Sequence, residues 1–313
     1  MDISYLLFLQ EFRQNTNGIF DKFFTYATEY GEMACLLPLF ALIYWCINKK
    51  TGEFMFLSLA FARIVNGLIK IVACVYRPWI RDARIQPIKK AFETATGYSF
   101  PSGHTANSVA TFGSYAVREE KVSKYLKILL WTLPVIIGFS RNYIGVHTPQ
   151  DVVCAFILSA ASIFAVKKLY DYLETNEKSD IWIVIGGLAL SGAVLLYTKY
   201  KSYPMDYDAA GKLIVDPAKM VLDSYKNLGY CFGIFIGWII ERRFINFSLE
   251  HRTVNQKIFR YLVCFVLMQI MLTIICPQIK AHTSAEVSHF FVAFLKTFYI
   301  ICIAPFIIKT CKL

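Results

Sequence analysis

The sequence is short of acidic residues and lacks paired cysteine motifs. It has 22 Asp and Glu against 33 Lys and Arg, a net charge of +11. The nine cysteines are scattered singly, with no CxxC pair and no Cys/His spacing suited to zinc. They therefore predict small buried apolar residues, and no metal or cofactor is expected. The N-terminus also lacks a basic-then-apolar start, so no cleavable signal peptide is expected.

No polar stretch is long enough to fold alone outside a membrane. Hydrophobic residues make up 56% of the chain, above the roughly 45–50% of soluble domains, and they lie in long runs. Lysines and arginines cluster between these runs, at Lys49-Lys50, Lys167-Lys168 and Arg242-Arg243. Such clusters are typical of cytoplasmic loops, so they indicate membrane topology and lipid headgroup contact, with no nucleic acid partner.

The apolar pattern predicts an all-α, polytopic transmembrane helix bundle. Residues 1–32 form a predicted N-terminal interfacial segment, although packing against the bundle fits the same pattern. With the basic clusters in the cytoplasm, the loops after Tyr76 and after Phe139 lie on the outer side. The nine predicted spans are Met33–Ile47, Phe54–Tyr76, Pro101–Val117, Tyr125–Phe139, Asp151–Ala165, Ile181–Tyr197, Leu228–Ile240, Tyr261–Ile275 and Phe290–Ile308.

Two cations do not fit a purely topological reading. Lys70 lies well inside the second predicted span, where an unpaired lysine costs several kcal/mol, roughly 2.5–3.5 on insertion scales. Arg77 follows two turns later, so both side chains are predicted on one face of the same helix. Pro78 then stops that helix.

Two histidine segments complete the pattern. Pro101-Ser102-Gly103-His104 places a proline and a glycine at a helix start, where free backbone N–H groups bind anions; alone it also fits a simple capped helix. Asp151 follows His147 by four residues. In a helix its carboxylate would fix the imidazole tautomer and make the other nitrogen a better nucleophile, although a helix-end contact is the plainer interpretation.

Taken together, these segments and Arg141 fall at the same ends of their spans. The combined site holds three cations, free N–H groups, two histidines and one carboxylate, which suits a phosphoryl group. The pattern resembles the three-part signature of the type 2 phosphatidic acid phosphatase superfamily, over residues 70–151. The matching residues are Lys70-x6-Arg77-Pro78, Pro101-Ser102-Gly103-His104 and Ser140-Arg141-x5-His147-x3-Asp151.

The resemblance implies a role for each matching residue. His147 would attack phosphorus and form a phosphohistidine, Asp151 would orient it, and His104 would protonate the leaving lipid oxygen. The phosphate would be bound, without metal, by Lys70, Arg77, Ser102, Gly103 and Arg141.

The resemblance also implies a six-helix phosphatase core at 33–198, with about three extra C-terminal spans at 199–313. The expected protein is an integral membrane enzyme of a bacterial plasma membrane, with its site facing outward. Its partners would be the bilayer and a lipid phosphate or diphosphate, such as undecaprenyl pyrophosphate or a glycerophospholipid phosphate. No obligate protein partner is evident. A lipid phosphotransferase using the same phosphohistidine, or a non-enzymatic lipid transporter on the same fold, are the alternatives.

The loop before Pro101 leaves one further question open. Arg81, Arg84, Lys89 and Lys90 could attract an anionic headgroup or a second phosphate, or could form a solvated loop surface.

Overall fold

The computed structural model describes residues 2–95, 97–208, 210–249 and 252–313, and these residues are built almost entirely from helices. An antiparallel bridge pairs Tyr207 with Leu213. Four π-helical turns occur, at Ile43–Ile47, Val109–Gly113, Glu241–Ile245 and Tyr299–Ile303. The α-helices are α1 (Asp2–Asn15), α2 (Asp21–Glu29), α3 (Met33–Leu42), α4 (Lys49–Ala73), α5 (Pro78–Arg81), α6 (Lys89–Thr94), α7 (Gly103–Ser108), α8 (Ser114–Arg118), α9 (Lys124–Tyr143), α10 (Pro149–Thr175), α11 (Asp180–Tyr200), α12 (Pro217–Ile240), α13 (Val254–His282), α14 (Ala285–Phe298) and α15 (Ala304–Thr310).

Hydroxyl side chains set several helix starts. Ser102, Ser123 and Ser284 each accept a hydrogen bond from the backbone N–H three residues on. Thr253 and Gln256 form a reciprocal capping box at the start of α13. These caps satisfy backbone donors that the first turn of a helix leaves without partners.

Helices form at each of the nine predicted spans. Among the described residues, five helical segments are long and apolar enough to cross a membrane, or six if α2 and Met33–Ile47 are one broken span. The prediction of an all-α polytopic helix bundle is confirmed. The five segments are Lys49–Arg81, Pro149–Thr175, Asp180–Tyr200, Val254–His282 and Ala285–Thr310.

The second predicted span ends earlier than the sequence suggested. Helix α4 stops at Ala73, and Cys74 then adopts a positive φ of 45°. Arg77 is extended, with φ −63° and ψ 151°. The prediction that Lys70 and Arg77 share one helix face was therefore wrong, because the chain leaves the helix between them.

The chain divides into two compact units. The first comprises Met1–Leu36, Val65–Ile163 and Tyr200–Met220. Within it, α2 packs on α9 through the ring of Phe24, whose centroid lies 4.3 Å from that of Tyr143. Phe23 and Tyr26 on the same helix are exposed. The segment therefore packs on its own unit through one face and offers aromatic rings on another.

The second unit comprises Leu37–Ile64, Phe164–Lys199 and Val221–Leu313. It buries a polar cluster in which Lys49 Nζ lies 2.8 Å from Glu241 Oε1. Arg243 Nη2 lies 2.5 Å from Asp180 Oδ1, and Arg242 Nε lies 3.4 Å from Asp180 Oδ2. Glu53 completes this charge-balanced cluster and accepts hydrogen bonds from Tyr170 at 3.1 Å and Trp238 at 3.2 Å.

Candidate active site

His147 sits in a tight turn between α9 and α10. Gly145 has φ +80°, a conformation that glycine adopts without strain. The N–H groups of Val146 and His147 both reach the Arg141 carbonyl, at 3.1 and 3.3 Å. Asn142 Nδ2 donates to the His147 carbonyl at 2.9 Å. The turn is thus fixed on both sides of the imidazole, which is 2% exposed.

Asp151 is held in the first turn of α10. Its Oδ2 accepts from the Thr148 N–H at 2.8 Å, while Thr148 Oγ1 accepts from the Asp151 N–H at 3.4 Å. This reciprocal pair resembles a capping box with aspartate at the third position. The carboxylate therefore serves the helix start and the imidazole together.

The partners of His147 define its tautomer. Nε2 lies 2.9 Å from Arg77 Nη1, and a guanidinium can only donate, so Nε2 is the acceptor. Nδ1 must then carry the hydrogen, which points to Asp151 Oδ2 at 3.2 Å. The lone pair of Nε2 thus accepts the hydrogen bond from Arg77, and an incoming phosphoryl group would have to displace that N–H before Nε2 could attack.

The charge state of His147 also suits nucleophilic attack. Burial, reinforced by the positive charge of Arg77, holds the pKa of His147 well below its usual range. The imidazole is therefore neutral at pH 7, and its Nε2 lone pair is held by the hydrogen bond from Arg77.

Ser99 lies at the site, although it belongs to none of the three sequence segments that predicted it. Its hydroxyl makes a short hydrogen bond to Asp151 Oδ2 and lies 3.3 Å from His147 Nδ1. Its backbone N–H donates to the Val75 carbonyl at 2.7 Å. The only sequence signal is a small hydroxyl residue two positions before Pro101.

Arg77 reaches the site from the extended segment after α4. Its Nε donates to the Gly97 carbonyl at 3.1 Å and its Nη1 to the Val146 carbonyl at 3.0 Å. The guanidinium is 7% exposed. Carbonyl oxygens thus orient a buried positive charge directly against the imidazole of His147.

Lys70, in the last turn of α4, contacts the loop that contains Ser99 and Pro101. Its Nζ donates to the carbonyls of Tyr98, Ser99 and Pro101, at 3.1, 3.1 and 2.7 Å. Three carbonyls match the three donors of an ammonium group. Lys70 therefore shapes the loop that leads into α7, and its predicted phosphate contact stays a prediction.

The segment Pro101 to His104 begins a helix, as the sequence predicted. Ser102 caps it, accepting from Thr105 Oγ1 at 2.9 Å, and its own N–H donates to the Asp151 carbonyl at 3.0 Å. A Cβ added at Gly103 would meet no atom within 4 Å. Open space therefore borders the start of the helix, whereas Ser102 is fully buried in a structural contact.

Arg141 is the third cation of the site. Its Nη1 donates to Thr28 Oγ1 at 2.6 Å, and its Nε is buried with no hydrogen-bond partner in the described part of the chain. An unsatisfied buried donor costs about 1–3 kcal/mol. A phosphate oxygen at this position would relieve that cost.

Three of the four basic loop residues pair with carboxylates. Arg81 pairs with Asp2 at 2.7 Å, Lys90 pairs closely with Glu29, and Arg84 pairs with Asp82 at 2.7 Å. The hydrogen bonds from Arg84 lower the pKa of the Asp82 carboxyl to about 2. These contacts favour the interpretation as a loop surface over that of a second phosphate site.

Two family models match the chain. Residues 54–174 match the PAP2 superfamily, and residues 225–313 match the PAP2 superfamily phosphatase, transmembrane extension. Together they cover more than half of the sequence. The first match contains every residue of the predicted site.

Curated relatives carry lipid phosphatase names. Lipid phosphate phosphatase delta of Arabidopsis thaliana is 25% identical over 56% of this chain and 45% of its own length. Phosphatidylglycerophosphatase B of Bacillus subtilis is 29% identical over 45% of this chain and 70% of its own. This chain thus spans less than half the length of the Arabidopsis protein.

A solved structure also matches. The crystal structure of Aquifex aeolicus LpxE superimposes with a TM-score of 0.43 at 24% identity, over 51% of this chain and 94% of that one. The two family matches, and the signature residues gathered around His147, show that this chain belongs to the PAP2 superfamily, the type 2 phosphatidic acid phosphatases.

Proposed function

We propose that this protein is an enzyme that hydrolyses a lipid phosphate or diphosphate monoester through a phosphohistidine at His147. The observation that carries the proposal is the orientation of the imidazole. Asp151 fixes Nδ1 and the Nε2 lone pair faces the Arg77 guanidinium. The lipid phosphatase names of its relatives support the substrate class.

The first step transfers the phosphoryl group to the enzyme. His147 Nε2 attacks phosphorus, a P–N bond forms, and the bond from phosphorus to the lipid oxygen breaks. His104 donates a proton to that leaving oxygen. Asp151 stabilises the positive charge that develops on the imidazole ring of His147.

The second step releases phosphate. Neutral His104 accepts a proton from water, the water oxygen attacks phosphorus, and the P–N bond breaks. Inorganic phosphate leaves and both histidines regain their starting states. The phosphorus atom, first bonded to the lipid oxygen, is thus bonded to the oxygen of water at the end of the reaction.

Guanidinium groups supply the electrostatic stabilisation in this proposal. Arg77 and Arg141 are the buried cations placed to receive the equatorial oxygens of a phosphoryl group. The space beside Gly103 leaves room for a further oxygen. We assign Lys70 and Ser102 the role of holding the surrounding loop. We also propose that the reaction needs no metal.

The site is proposed to face the outer side of a bacterial plasma membrane. Within the first unit, α9 carries Lys124 and Lys127 near its start and Arg141 near its end. Helix α9 is not among the five candidate spans of the described residues, but its 20 residues extend about 30 Å, which separates its basic start from the site at its end. Basic residues favour the cytoplasmic side, so the site end of α9 faces outward.

Undecaprenyl pyrophosphate and glycerophospholipid phosphates are the proposed substrates. Undecaprenyl-diphosphatase BcrC of Bacillus subtilis, 24% identical over 50% of this chain, and phosphatidylglycerophosphatase B carry these two substrate classes in their names. The catalytic groups described above act on the phosphoryl group that both classes share.

The test measures phosphate release by the purified protein in detergent with EDTA. The panel is undecaprenyl pyrophosphate, phosphatidylglycerophosphate, phosphatidic acid and sphingosine phosphate. Release should survive EDTA, vanish in His147→Ala, and persist in His282→Ala, a matched change at an exposed histidine. Folded protein that releases no phosphate from any lipid would overturn hydrolysis and favour phosphotransfer or lipid transport.

A further inference from the structure

Glu32 places a second carboxylate at the site, next to His104. Its Oε1 lies 3.5 Å from His104 Nε2. Its side chain is half exposed, and that of His104 is one quarter exposed. Glu32 lies far outside the signature at 70–151, and nothing in its sequence context indicates a role. Glu32 and His104 are far apart in the sequence, and they come into contact only when the chain folds.

The backbone around Glu32 is fixed against the same helix. Asn107 Nδ2, one turn after His104, donates to the Gly31 carbonyl at 3.2 Å. A Cβ at Gly31 would collide with the Cβ and backbone oxygen of His104, so only glycine allows this close approach. Thr28, one turn earlier, is tied to Arg141. Glu32 thus follows a segment anchored at two points.

The charges around His104 indicate what the carboxylate of Glu32 does there. Burial and the positive charges of Arg141 and Arg77 lower the pKa of His104 to about 4, and the carboxylate of Glu32 acts against them by raising it. Positive neighbours disfavour an imidazolium, and a carboxylate favours it. A general acid must hold its proton until the leaving oxygen takes it.

We propose that Glu32 is a positioning residue that orients His104 and stabilises its protonated form. The proposal rests on the function proposed above. When the bond from phosphorus to the lipid oxygen breaks, imidazolium gives its proton to that oxygen and becomes neutral beside Glu32. When water attacks the phosphohistidine, the imidazole recovers a proton. Glu32 itself exchanges no proton in either step.

The two histidines would then have matching partners with different exposures. Asp151 is buried with His147 and keeps one tautomer, whereas Glu32 is open to solvent and supports an imidazole that changes charge in each cycle. Because Glu32 supports the proton donor, its removal should slow most the substrates whose leaving oxygen needs a proton.

The test compares Glu32→Gln with Glu29→Gln. Both remove one carboxylate near the end of α2, and Glu29 pairs with Lys90 away from His104. The substrates are p-nitrophenyl phosphate, whose leaving group needs little protonation, and the lipid monoester of the panel with the highest kcat/KM. Glu32→Gln should lower kcat/KM about 10-fold for the lipid and less than about 2-fold for the aryl ester. Glu29→Gln should change neither.

The pH profile gives a readout that a structural role would not move. Loss of Glu32 destabilises the imidazolium, so the acid loses its proton at lower pH. The basic limb of kcat/KM for the lipid should shift down by about one pH unit. Equal losses on both substrates, no loss, or an unmoved basic limb would each overturn the proposal. Lipid phosphate release that survives His147→Ala would instead overturn the proposed function, whatever Glu32 does.

Discussion

The two units each bury a group of charged side chains, and the groups differ in how their charges are satisfied. In the charge-balanced cluster of the second unit, Lys49 contacts Glu241, and Arg242 and Arg243 contact Asp180. Around His147, by contrast, three hydrogen bonds from Arg77 go to carbonyl oxygens and the imidazole. In the part of the chain that the structure describes, the Nε of Arg141 has no hydrogen-bond partner.

This difference distinguishes the charge-balanced cluster, whose charges are paired with one another, from the group around His147, which can bind an anionic ligand. Paired charges fix the positions of helices but offer little to an incoming anion. A carbonyl oxygen orients a cation but carries no net charge, so these contacts do not cancel the positive charge of the guanidinium. Buried charge alone therefore does not identify a site in this protein; the type of partner does.

Replacing the nucleophile should give the largest effect of any substitution. His147→Gln should lower the rate of phosphate release by about 10⁴-fold or more, because no phosphohistidine can form. The midpoint of thermal unfolding in detergent should hardly change. Activity within 10-fold of the unmodified protein would show that the site lies elsewhere.

Arg141→Gln should have the second largest effect. We expect kcat/KM to fall by about 10²–10³-fold, as is typical when one donor to a transition-state oxyanion is removed. Inhibition by orthovanadate should weaken in parallel, because the same donor would bind it. An unchanged inhibition constant for vanadate would place Arg141 outside the phosphate site.

The charge-balanced cluster should respond in the opposite way. Glu241→Gln leaves the partly buried Lys49 beside a neutral group, and breaking a buried pair costs up to about 3–5 kcal/mol. We expect a lower unfolding midpoint with turnover per folded molecule unchanged. A fully stable variant with impaired turnover would make the second unit part of the catalytic machinery.

Ser99→Ala tests the support behind the nucleophile. The hydroxyl contacts Asp151, so its loss should reduce kcat about 10-fold, as for groups that hold a functional side chain. KM should stay within about 2-fold, because Ser99 lies behind the imidazole and not on the phosphate side. A rise in KM with normal kcat would assign Ser99 to substrate binding.

The pH dependence should show the smallest change. Because the pKa of His147 is lowered, the imidazole stays neutral as pH falls through the usual histidine range near 6.5. The acid limb of kcat/KM, which reports the free enzyme, should therefore have its midpoint below the usual histidine value near 6.5. A midpoint at 7 or above would mean that His147 is protonated in the resting enzyme.

Much of the site could be predicted from the sequence, because the reacting groups lie in three short segments. His147 with Asp151 and the helix start at Ser102 are local patterns, and the structure forms both. The arrangement of Lys70 and Arg77 could not be predicted this way. Helix α4 ends at Ala73, and the extended segment after it is held by Ser99, 24 residues further along the chain.

The contacts that the N-terminal segment makes with the site also could not be predicted from the sequence. Thr28 and Glu32 contact Arg141 and His104 across more than 70 residues of chain. Neither contact leaves a periodic or spacing signal, because each depends on how α2 packs on α9. The sequence predicted interfacial aromatic residues there, and that pattern does not report polar contacts.

The central claim is the phosphohistidine at His147, and rapid quenching of the enzyme with ³²P-labelled lipid phosphate in EDTA tests it most directly. The account predicts a protein-bound label that is stable in base, labile in acid, located on the peptide carrying His147 and absent from His147→Ala. A label that persists in His147→Ala, or phosphate release that requires a divalent metal, would contradict it.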